Sequence, residues 1–186
     1  SEKQLKSTFG ENPYDLKNII DKWVLSNDPQ VNAIKKQMQF VDDDGSPLAV
    51  IPTDSVVLTV DKEAVKRSGM MMAGDSIPDY MQISFKNRRV VYKHEMMMYE
   101  MLCGCNWERP MYVAVTVGGD NYGSLGDNFV QEGLAYRITP FNTRNSGMRV
   151  DVEKMYDNMM NKFKFGGIDN PGIYLDETVM RMCQTH

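Results

Sequence analysis

The side chains of this chain that can do chemistry fall into small groups, none with a complete catalytic pattern. Hydrolysis of glycosides needs two carboxylates at a defined separation across a cleft. Two carboxylate pairs are close enough in sequence to be considered, Glu95 with Glu100 and Asp127 with Glu132. Neither pair differs from the ordinary surface charge of a helix, so the residues argue against an independent hydrolase.

Two further patterns resemble metal sites and lack ligands that such sites need. Residues 42–45 read Asp-Asp-Asp-Gly, but a calcium loop requires an acidic residue where Phe40 stands and a glutamate where Ile51 stands. His94 lacks the second histidine that a zinc helix places four residues later, where Met98 stands. We therefore expect no metal, no cofactor and a solvated acidic turn at residues 42–45.

A glycine loop follows the most strand-like run of the chain. Backbone N–H groups at a helix N-terminus favour anions, so such a loop invites a phosphate-binding interpretation. Its glycines are Gly118, Gly119, Gly123 and Gly126. They do not have the spacing of a dinucleotide fingerprint, and no Gly-Lys-Ser/Thr follows as in a P-loop. The loop therefore predicts turn geometry rather than a nucleotide site.

Sixteen methionines are an unusual number for 186 residues, and two runs, Met70–Met72 and Met96–Met98, hold six of them. A methionine-rich surface can bind soft metals or varied partners, but core filling is the commoner use of this adaptable side chain.

The chain has an odd number of cysteines, and the first two are two residues apart: Cys103, Cys105 and Cys183. We expect buried thiols rather than a disulfide framework.

Apolar spacing and capping residues predict the elements that position these groups. Asn12 and Pro13 predict the start of a helix that runs to about Ser26, and residues 30–41 stay open between helix and extended chain. Asp61 predicts the cap of a short helix. The other expected elements are strands at 56–60, 81–85, 90–92, 111–117 and 134–141, a short helical turn at 125–130 capped by Ser124 or Asp127, and helices at 62–67, 93–104, 152–163 and from Asp176 onward.

Two helix faces and one strand carry specific expectations. In helix 93–104, one face is expected to be buried, and it holds His94, Met97, Met98, Met101, Leu102 and Cys105. In helix 152–163, capped by Asp151, the apolar face holds Val152, Met155, Tyr156, Met159, Met160 and Phe163. The run from Met111 to Val117 is almost wholly apolar or β-branched, which is typical of a central strand covered on both faces.

Helices that alternate with strands predict an α/β fold with a mixed sheet of about four or five strands, flanked by helices and preceded by an N-terminal helix. The turn at Asn87 and Arg88 leaves an antiparallel pair, and hence α+β, open. We expect residues 1–45 to form a helical appendage or linker. Residues 46–186 are expected to form one globular domain that is truncated before further helices.

The composition excludes two classes of protein. A net charge of −4 without a basic stripe argues against a nucleic-acid partner. No run of 18 apolar residues occurs, so we expect the chain itself to be soluble rather than to span a membrane.

Several phrases of the sequence together resemble a known family. They are residues 106–112, 133–137, 155–158 with 163–167, and 174–177 with 181–182, together with 61–65. Over roughly residues 48–186 the chain resembles the soluble C-terminal part of large, multi-spanning bacterial membrane proteins of a domain-of-unknown-function family. That family is related to the plexin-type protein O-mannosyltransferases. Residues 1–40 are not placed by this resemblance.

The resemblance implies a glycosyltransferase that takes sugar from a lipid-linked donor at the periplasmic, extracytoplasmic face of the membrane for protein O-glycosylation. Its catalytic acidic residue would lie on a transmembrane loop outside this chain. This chain would then be a non-catalytic domain whose partners are its own transmembrane region, the helical repeats that follow, and an acceptor protein or glycan. The alternative is a stand-alone module that binds glycans, peptides or proteins.

Two roles for such a domain make different structural demands. A recognition role uses rings for stacking and polar groups for hydrogen bonds, and needs at least two of the rings exposed in one concave site. A structural spacer has the same aromatics in its core and needs only an apolar patch near its termini. The candidate binding residues are Trp107, Tyr112, Tyr122 and Tyr136 for stacking, with Asp120, Asn121, Asp127 and Arg137 for hydrogen bonds.

Overall fold

The chain folds into a mixed α/β structure, as expected, with an N-terminal helix. The computed structural model describes residues 6–166, except residues 8, 11, 89, 144–146 and 165, together with residues 170, 172 and 177. The helices are α1 (Leu16–Ile19, continued by a π-helical turn Ile20–Val24), α2 (Pro29–Gln37), α3 (Lys62–Arg67), α4 (Lys93–Cys105) and α5 (Val152–Asp157, continued by a π-helical turn Asn158–Lys162). The strands are β1 (Ser55–Thr59), β2 (Tyr80–Ser84), β3 (Tyr112–Ala114), β4 (Phe129–Gln131), β5 (Ala135–Ile138) and β6 (Arg149–Val150), with 3-10 turns at Gly119–Asn121 and Gly123–Asn128.

The strands of the described residues form two sheets. β1 and β2 make an antiparallel pair in which Val57 lies opposite Gln82. The larger sheet has the order β3-β5-β4-β6, antiparallel except for the parallel pairing of β4 with β6. This sheet is the mixed, four-stranded sheet that the sequence predicts.

The helix predicted to start at Asn12 and Pro13 begins later. Asp15, not Asn12, is its N-cap, because the Asp15 carboxylate accepts hydrogen bonds from two N–H groups of the first turn. Asn12 and Pro13 belong to a turn that closes when the Asp15 N–H donates to the Asn12 carbonyl, 3.1 Å away. The segment left open at residues 30–41 is largely helical, since Asp28 caps α2.

Three other acidic residues do what the sequence predicts. The Asp61 carboxylate accepts from the N–H of Ala64 at 2.9 Å and caps α3. The Asp151 carboxylate accepts from the N–H of Lys154 at 3.1 Å and caps α5. Asp42 accepts from the N–H groups two and four residues later, so this carboxylate organises the acidic turn.

The run from Met111 to Val117 is not a central strand. β3 spans only Tyr112–Ala114 and lies at an edge of the sheet, where the Tyr112 side chain is 47% exposed. The chain then turns, with the Val117 N–H donating to the Ala114 carbonyl at 3.0 Å. β-branched composition shows that a segment favours extended structure, but not which place in the sheet it takes.

Residues 90–92 also differ from the prediction of a strand. Val90 and Tyr92 are exposed, at 58% each, and Tyr92 is the N-cap residue of α4. The turn at 125–130 is a 3-10 turn without a side-chain cap, and Val130 already belongs to β4. The final helix expected from Asp176 lies outside the described residues.

The two methionine-rich helices differ from the predicted burial: in α4 only Leu102 of the predicted face is buried, and α5 buries no residue. In α4 the buried residues are Glu95, Tyr99 and Leu102, whereas Met97 and Met101 are 56% and 61% exposed. In α5 no residue is buried, and half of the expected apolar face is open to solvent: Val152 is 71%, Tyr156 64% and Met160 59% exposed, whereas Met155, Met159 and Phe163 are half-buried.

One hydrophobic cluster contains residues from before and after position 46. Phe9, Leu16 and Trp23 belong to it, and so do Val56 and Ile83 of the β1-β2 pair. The division of the chain at residue 46 stays a prediction, but the N-terminal helix contributes side chains to this shared core. Within the described residues, no helix combines the length and the apolar character that crossing a bilayer requires.

Candidate functional site

The eight residues expected to bind do not form one site. Trp107 is 2% exposed, and its ring N–H donates to the Thr59 carbonyl at 3.1 Å. This indole is therefore a core side chain that ties α4 to β1, and it cannot stack on a ligand. Asp120 and Asn121 are exposed in the first 3-10 turn.

Tyr112 and Arg137 belong to a polar network around the buried carboxylate of Glu132. The Tyr112 hydroxyl donates to this carboxylate at 2.8 Å, and the Arg137 guanidinium lies 3.4 Å from it. Lys154 reaches the same carboxylate at 3.0 Å. With three donors on one buried carboxylate, the network holds β3, β4, β5 and α5 together.

The pKa values in this network follow from burial and pairing. Burial and the hydrogen bond to Glu132 raise the pKa of Tyr112, so its hydroxyl keeps its proton and acts as a donor. Burial lowers the pKa of Lys154, but the hydrogen bonds to Asp151 and Glu132 outweigh it and the pKa is raised. Arg137 also donates to the Ser68 carbonyl at 2.7 Å, which fixes the C-terminal end of α3 against the sheet.

The other three predicted residues line one cavity, which we call the tyrosine cavity. Its volume is about 270 Å³. The Phe129 ring packs between the rings of Tyr122, 4.8 Å away, and Tyr136, 5.4 Å away and nearly parallel. Both tyrosines are half-buried. The lining residues are Tyr122, Gly126, Asp127, Phe129, Tyr136, Thr143, Gly147 and Met148.

Gly126 leaves room for the Tyr122 ring in the wall of the tyrosine cavity. A Cβ atom at Gly126 would lie 3.0 Å from the Tyr122 ring, closer than side chains normally pack. The Thr143 hydroxyl and N–H both donate to the Asp127 carbonyl, at 2.9 and 2.6 Å. The sequence predicted the tyrosines and Asp127, but not the contribution of Phe129 or Thr143.

A second and larger cavity, the Asp75 cleft, was not predicted. It has a volume of about 520 Å³ and combines an ion pair with an exposed ring. The Arg149 guanidinium donates to the Asp75 carboxylate at 2.7 Å and lies over the Phe141 ring, 5.4 Å from its centroid. Tyr80 is 50% exposed at the same cleft, and buried Asn128 lines it. Because 74 positions separate Asp75 from Arg149, no local pattern of the sequence marks this pair.

The two cavities adjoin across one wall. Neighbouring residues in each of three segments, 126–129, 140–143 and 147–149, line one cavity or the other. The wall is held by hydrogen bonds: the Asn128 side chain donates to the Phe141 carbonyl at 3.2 Å, and the Thr139 hydroxyl donates to the Asn128 carbonyl at 3.0 Å.

The carboxylate pairs considered for hydrolysis do not share a cleft. The Glu95 carboxylate is fully buried and binds Arg88 through two hydrogen bonds of 2.5 and 3.0 Å, whereas Glu100 is exposed. Glu132 is occupied by the network described above. Among the described residues, no three His, Cys, Asp or Glu side chains are grouped so as to hold a metal ion.

A third, more apolar cavity lies between α1 and α4. Its volume is about 640 Å³, and its lining includes Ile20, Val24, Phe40 and Met96. None of the eight candidate residues lines it. It is therefore a separate feature from the tyrosine cavity and the Asp75 cleft.

Comparison with known families gives a match that covers most of the chain. The family model described as TMEM260-associated domain 2 matches residues 2–156. The match includes residues 2–47, most of which the resemblance of the sequence left unplaced, and it ends before residues 163–167 and 174–182, which that resemblance used. No curated protein and no solved structure matches the chain.

Proposed function

Because this chain belongs to the TMEM260-associated domain 2 family, we propose that it is a non-catalytic accessory domain of a membrane-embedded, glycosyltransferase-like protein. The domain lies on the extracytoplasmic side of the membrane. The whole protein is bacterial and takes sugar from a lipid-linked donor. The sequence resemblance described above supports these details. The separate positions of Glu95, Glu100 and Glu132 agree with chemistry located elsewhere in the whole protein.

Within that protein, the domain recognises the acceptor polypeptide or its glycan at the tyrosine cavity. The observation that carries this role is that two half-exposed rings, Tyr122 and Tyr136, line one concave site together with Asp127. A sugar ring or a peptide presents C–H groups that pack on an aromatic face and hydroxyl or amide groups that bond to carboxylates. The site thus has the two kinds of group that recognition requires.

The Asp75 cleft extends this surface with polar groups. Tyr80 offers a further exposed ring, while Asp75 and Arg149 offer an acceptor and a donor at its edge. Sites for small ligands commonly combine apolar walls with few, well-placed polar groups. The adjoining cavities therefore suit a ligand longer than a single sugar.

A structural spacer is the second candidate function, and the position of Trp107 favours it. This ring is core, and Tyr112 and Arg137 hold the Glu132 network rather than an open surface. Three of the eight candidate residues, namely Trp107, Tyr112 and Arg137, thus stabilise the fold. The two roles differ at Tyr122 and Tyr136, which a spacer does not need to expose.

Titration followed by amide NMR distinguishes the two roles. We expect mannose-containing oligosaccharides or short serine-rich peptides to give saturable shifts at residues 120–137 and 75–82. Tyr136→Leu is expected to abolish the shifts, whereas Tyr156→Leu, at an exposed ring of α5, is expected to leave them unchanged. Trp107 fluorescence is a poor reporter because this ring is buried. No response at millimolar ligand would refute recognition and leave the spacer role.

A further inference from the structure

The outward face of α4 carries sulfur-containing and imidazole side chains. Met97 and Met101 are 56% and 61% exposed, and His94 is exposed. Met98 and Cys105 on the same face are half-buried. The sequence predicts that this face is buried in the core, where methionine is a flexible filler. Because much of this face is exposed, core filling does not explain why sulfur and imidazole side chains are concentrated there.

The spacing of these residues brings their donor atoms together. Residues three or four positions apart on a helix are neighbours, with Cβ atoms about 5–6 Å apart. His94 precedes Met97 by three positions and Met98 by four, and Met101 follows Met97 by four and precedes Cys105 by four. The imidazole and the thioethers therefore form a row along about two turns of one helix, whereas the Cys105 thiol donates to the Leu102 carbonyl at 3.2 Å.

The donors in this row select a particular class of metal. Thioether and thiolate sulfur are soft ligands that favour Cu(I), and imidazole also suits copper, whereas calcium and magnesium prefer carboxylate and carbonyl oxygen. The carboxylate of Glu95 is not available to this face, because it is buried against Arg88. Cys103 is also outside the row, and burial raises the pKa of its thiol to about 12.

We propose that the outward face of α4 binds a soft monovalent cation of the Cu(I) class, with Met97 and Met101 as the central ligands and His94 as a flanking donor. The site is independent of the recognition surface, since none of these residues lines the tyrosine cavity or the Asp75 cleft.

Silver ion is a redox-stable probe of this site. We would add up to two equivalents of Ag(I) to protein with ¹³C-methyl-labelled methionine and follow each methyl resonance by NMR. The expected result is that the first equivalent shifts the Met97 and Met101 methyl groups. Met97→Leu with Met101→Leu should weaken binding at this face at least tenfold while the fold is retained, because exchange of methionine for leucine nearly conserves volume.

Met160→Leu is the matched control. Met160 is similarly exposed, at 59%, but Tyr156 and Lys164 stand four positions away, so it has no soft neighbour there. Equal shifts at Met160 and Met97 would show unselective thioether binding and overturn the proposal. Uptake of the silver by Cys103 or Cys183 with no change at the α4 methyl groups would also overturn it. Unchanged binding in the double leucine variant would exclude coordination by sulfur at this face.

Discussion

The two methionine-rich helices α4 and α5 are attached to the protein by different means. α4 places Glu95, Tyr99 and Leu102 in the interior, where the Glu95 carboxylate binds Arg88 and the Tyr92 N–H. α5 buries no residue and is held by polar contacts, chiefly those of Lys154 and Asn158 with Glu132. The predicted apolar face of α5 is therefore only partly covered, with Val152, Tyr156 and Met160 exposed.

This difference shows what helical periodicity can and cannot establish. Periodicity identifies a face that is able to be buried, but a neighbouring face that carries a paired charge can be buried instead. In α4 the pairing of Glu95 with Arg88 removes most of the cost of burying a carboxylate. The adjacent Tyr99 shares this environment, and burial raises its pKa to about 12.

The largest expected effect comes from breaking the interior attachment of α4. Glu95→Ala leaves Arg88 and the Tyr92 N–H without their acceptor, so we expect a loss of about 3 kcal/mol in the free energy of unfolding. Urea denaturation followed by circular dichroism measures this loss. Glu100→Ala, at an exposed carboxylate of the same helix, should change stability by less than about 0.5 kcal/mol. Equal effects would contradict the assignment of the interior face.

Gly123→Ala tests the same attachment from the other side. A Cβ atom at this position would lie 2.5 Å from the Arg88 guanidinium, and the backbone there has a φ of +52°. The substitution should displace Arg88 from Glu95 and cost about 2 kcal/mol. Gly104→Ala is the control, because a Cβ atom there has open space and the position is helical, so a gain of about 0.5 kcal/mol is expected. A neutral Gly123→Ala would show that the loop moves freely.

Lys154→Met weakens the attachment of α5. The lysine binds Glu132, Asp151 and the Gly69 carbonyl but is 37% exposed, so we expect a cost of about 1 kcal/mol. Hydrogen exchange should show roughly fivefold lower protection in α5 with α4 unchanged. Lys162→Met, at a more exposed ion pair, is the control and should have little effect. Equal loss of protection in both helices would mean that they open as one unit.

The smallest expected effect is a difference between the helices in their response to pH. The raised pKa of Lys154 means that its stabilisation is complete below the unfolded value of about 10.4 and is lost as the pH rises through the folded pKa. For Glu95, burial opposes ionisation, but the hydrogen bonds from Arg88 and Tyr92 outweigh it and the pKa is lowered. Its stabilisation is present above about pH 4.3 and is lost as the pH falls through the folded pKa.

Comparing each variant with the wild type across pH measures these two contributions. The stability difference of Lys154→Met should shrink in alkali, and that of Glu95→Ala should shrink in acid. A difference that grows in the direction where we expect it to shrink would contradict the pairing assigned to that residue.

Local signals in the sequence predicted two of the helix caps and most elements. Asp61 and Asp151 cap helices as expected, because an N-cap needs only its own carboxylate and the next N–H groups. The α/β class and the mixed sheet also follow from the alternation of elements. Asn12 failed as a cap because Asp15, three positions later, offers a charged acceptor to the same helix.

Long-range contacts were beyond such signals. The position of β3 at a sheet edge, the burial of Trp107 and the pairing of Asp75 with Arg149 depend on segments distant in sequence. Of the candidate site, Tyr122, Asp127 and Tyr136 share a cavity because they lie within one short stretch. The cleft beside them combines residues from four segments, and no spacing rule connects those.

The shortness of β3 has a consequence for the handling of this protein. Residues 112–117 read Tyr-Val-Ala-Val-Thr-Val, an uncharged run of high β-propensity without proline, and such runs are hazards for intermolecular cross-β stacking. The turn after Ala114 leaves only three residues at the free edge of the sheet, too few to template a second chain effectively. The turn therefore acts as a safeguard against amyloid-like association.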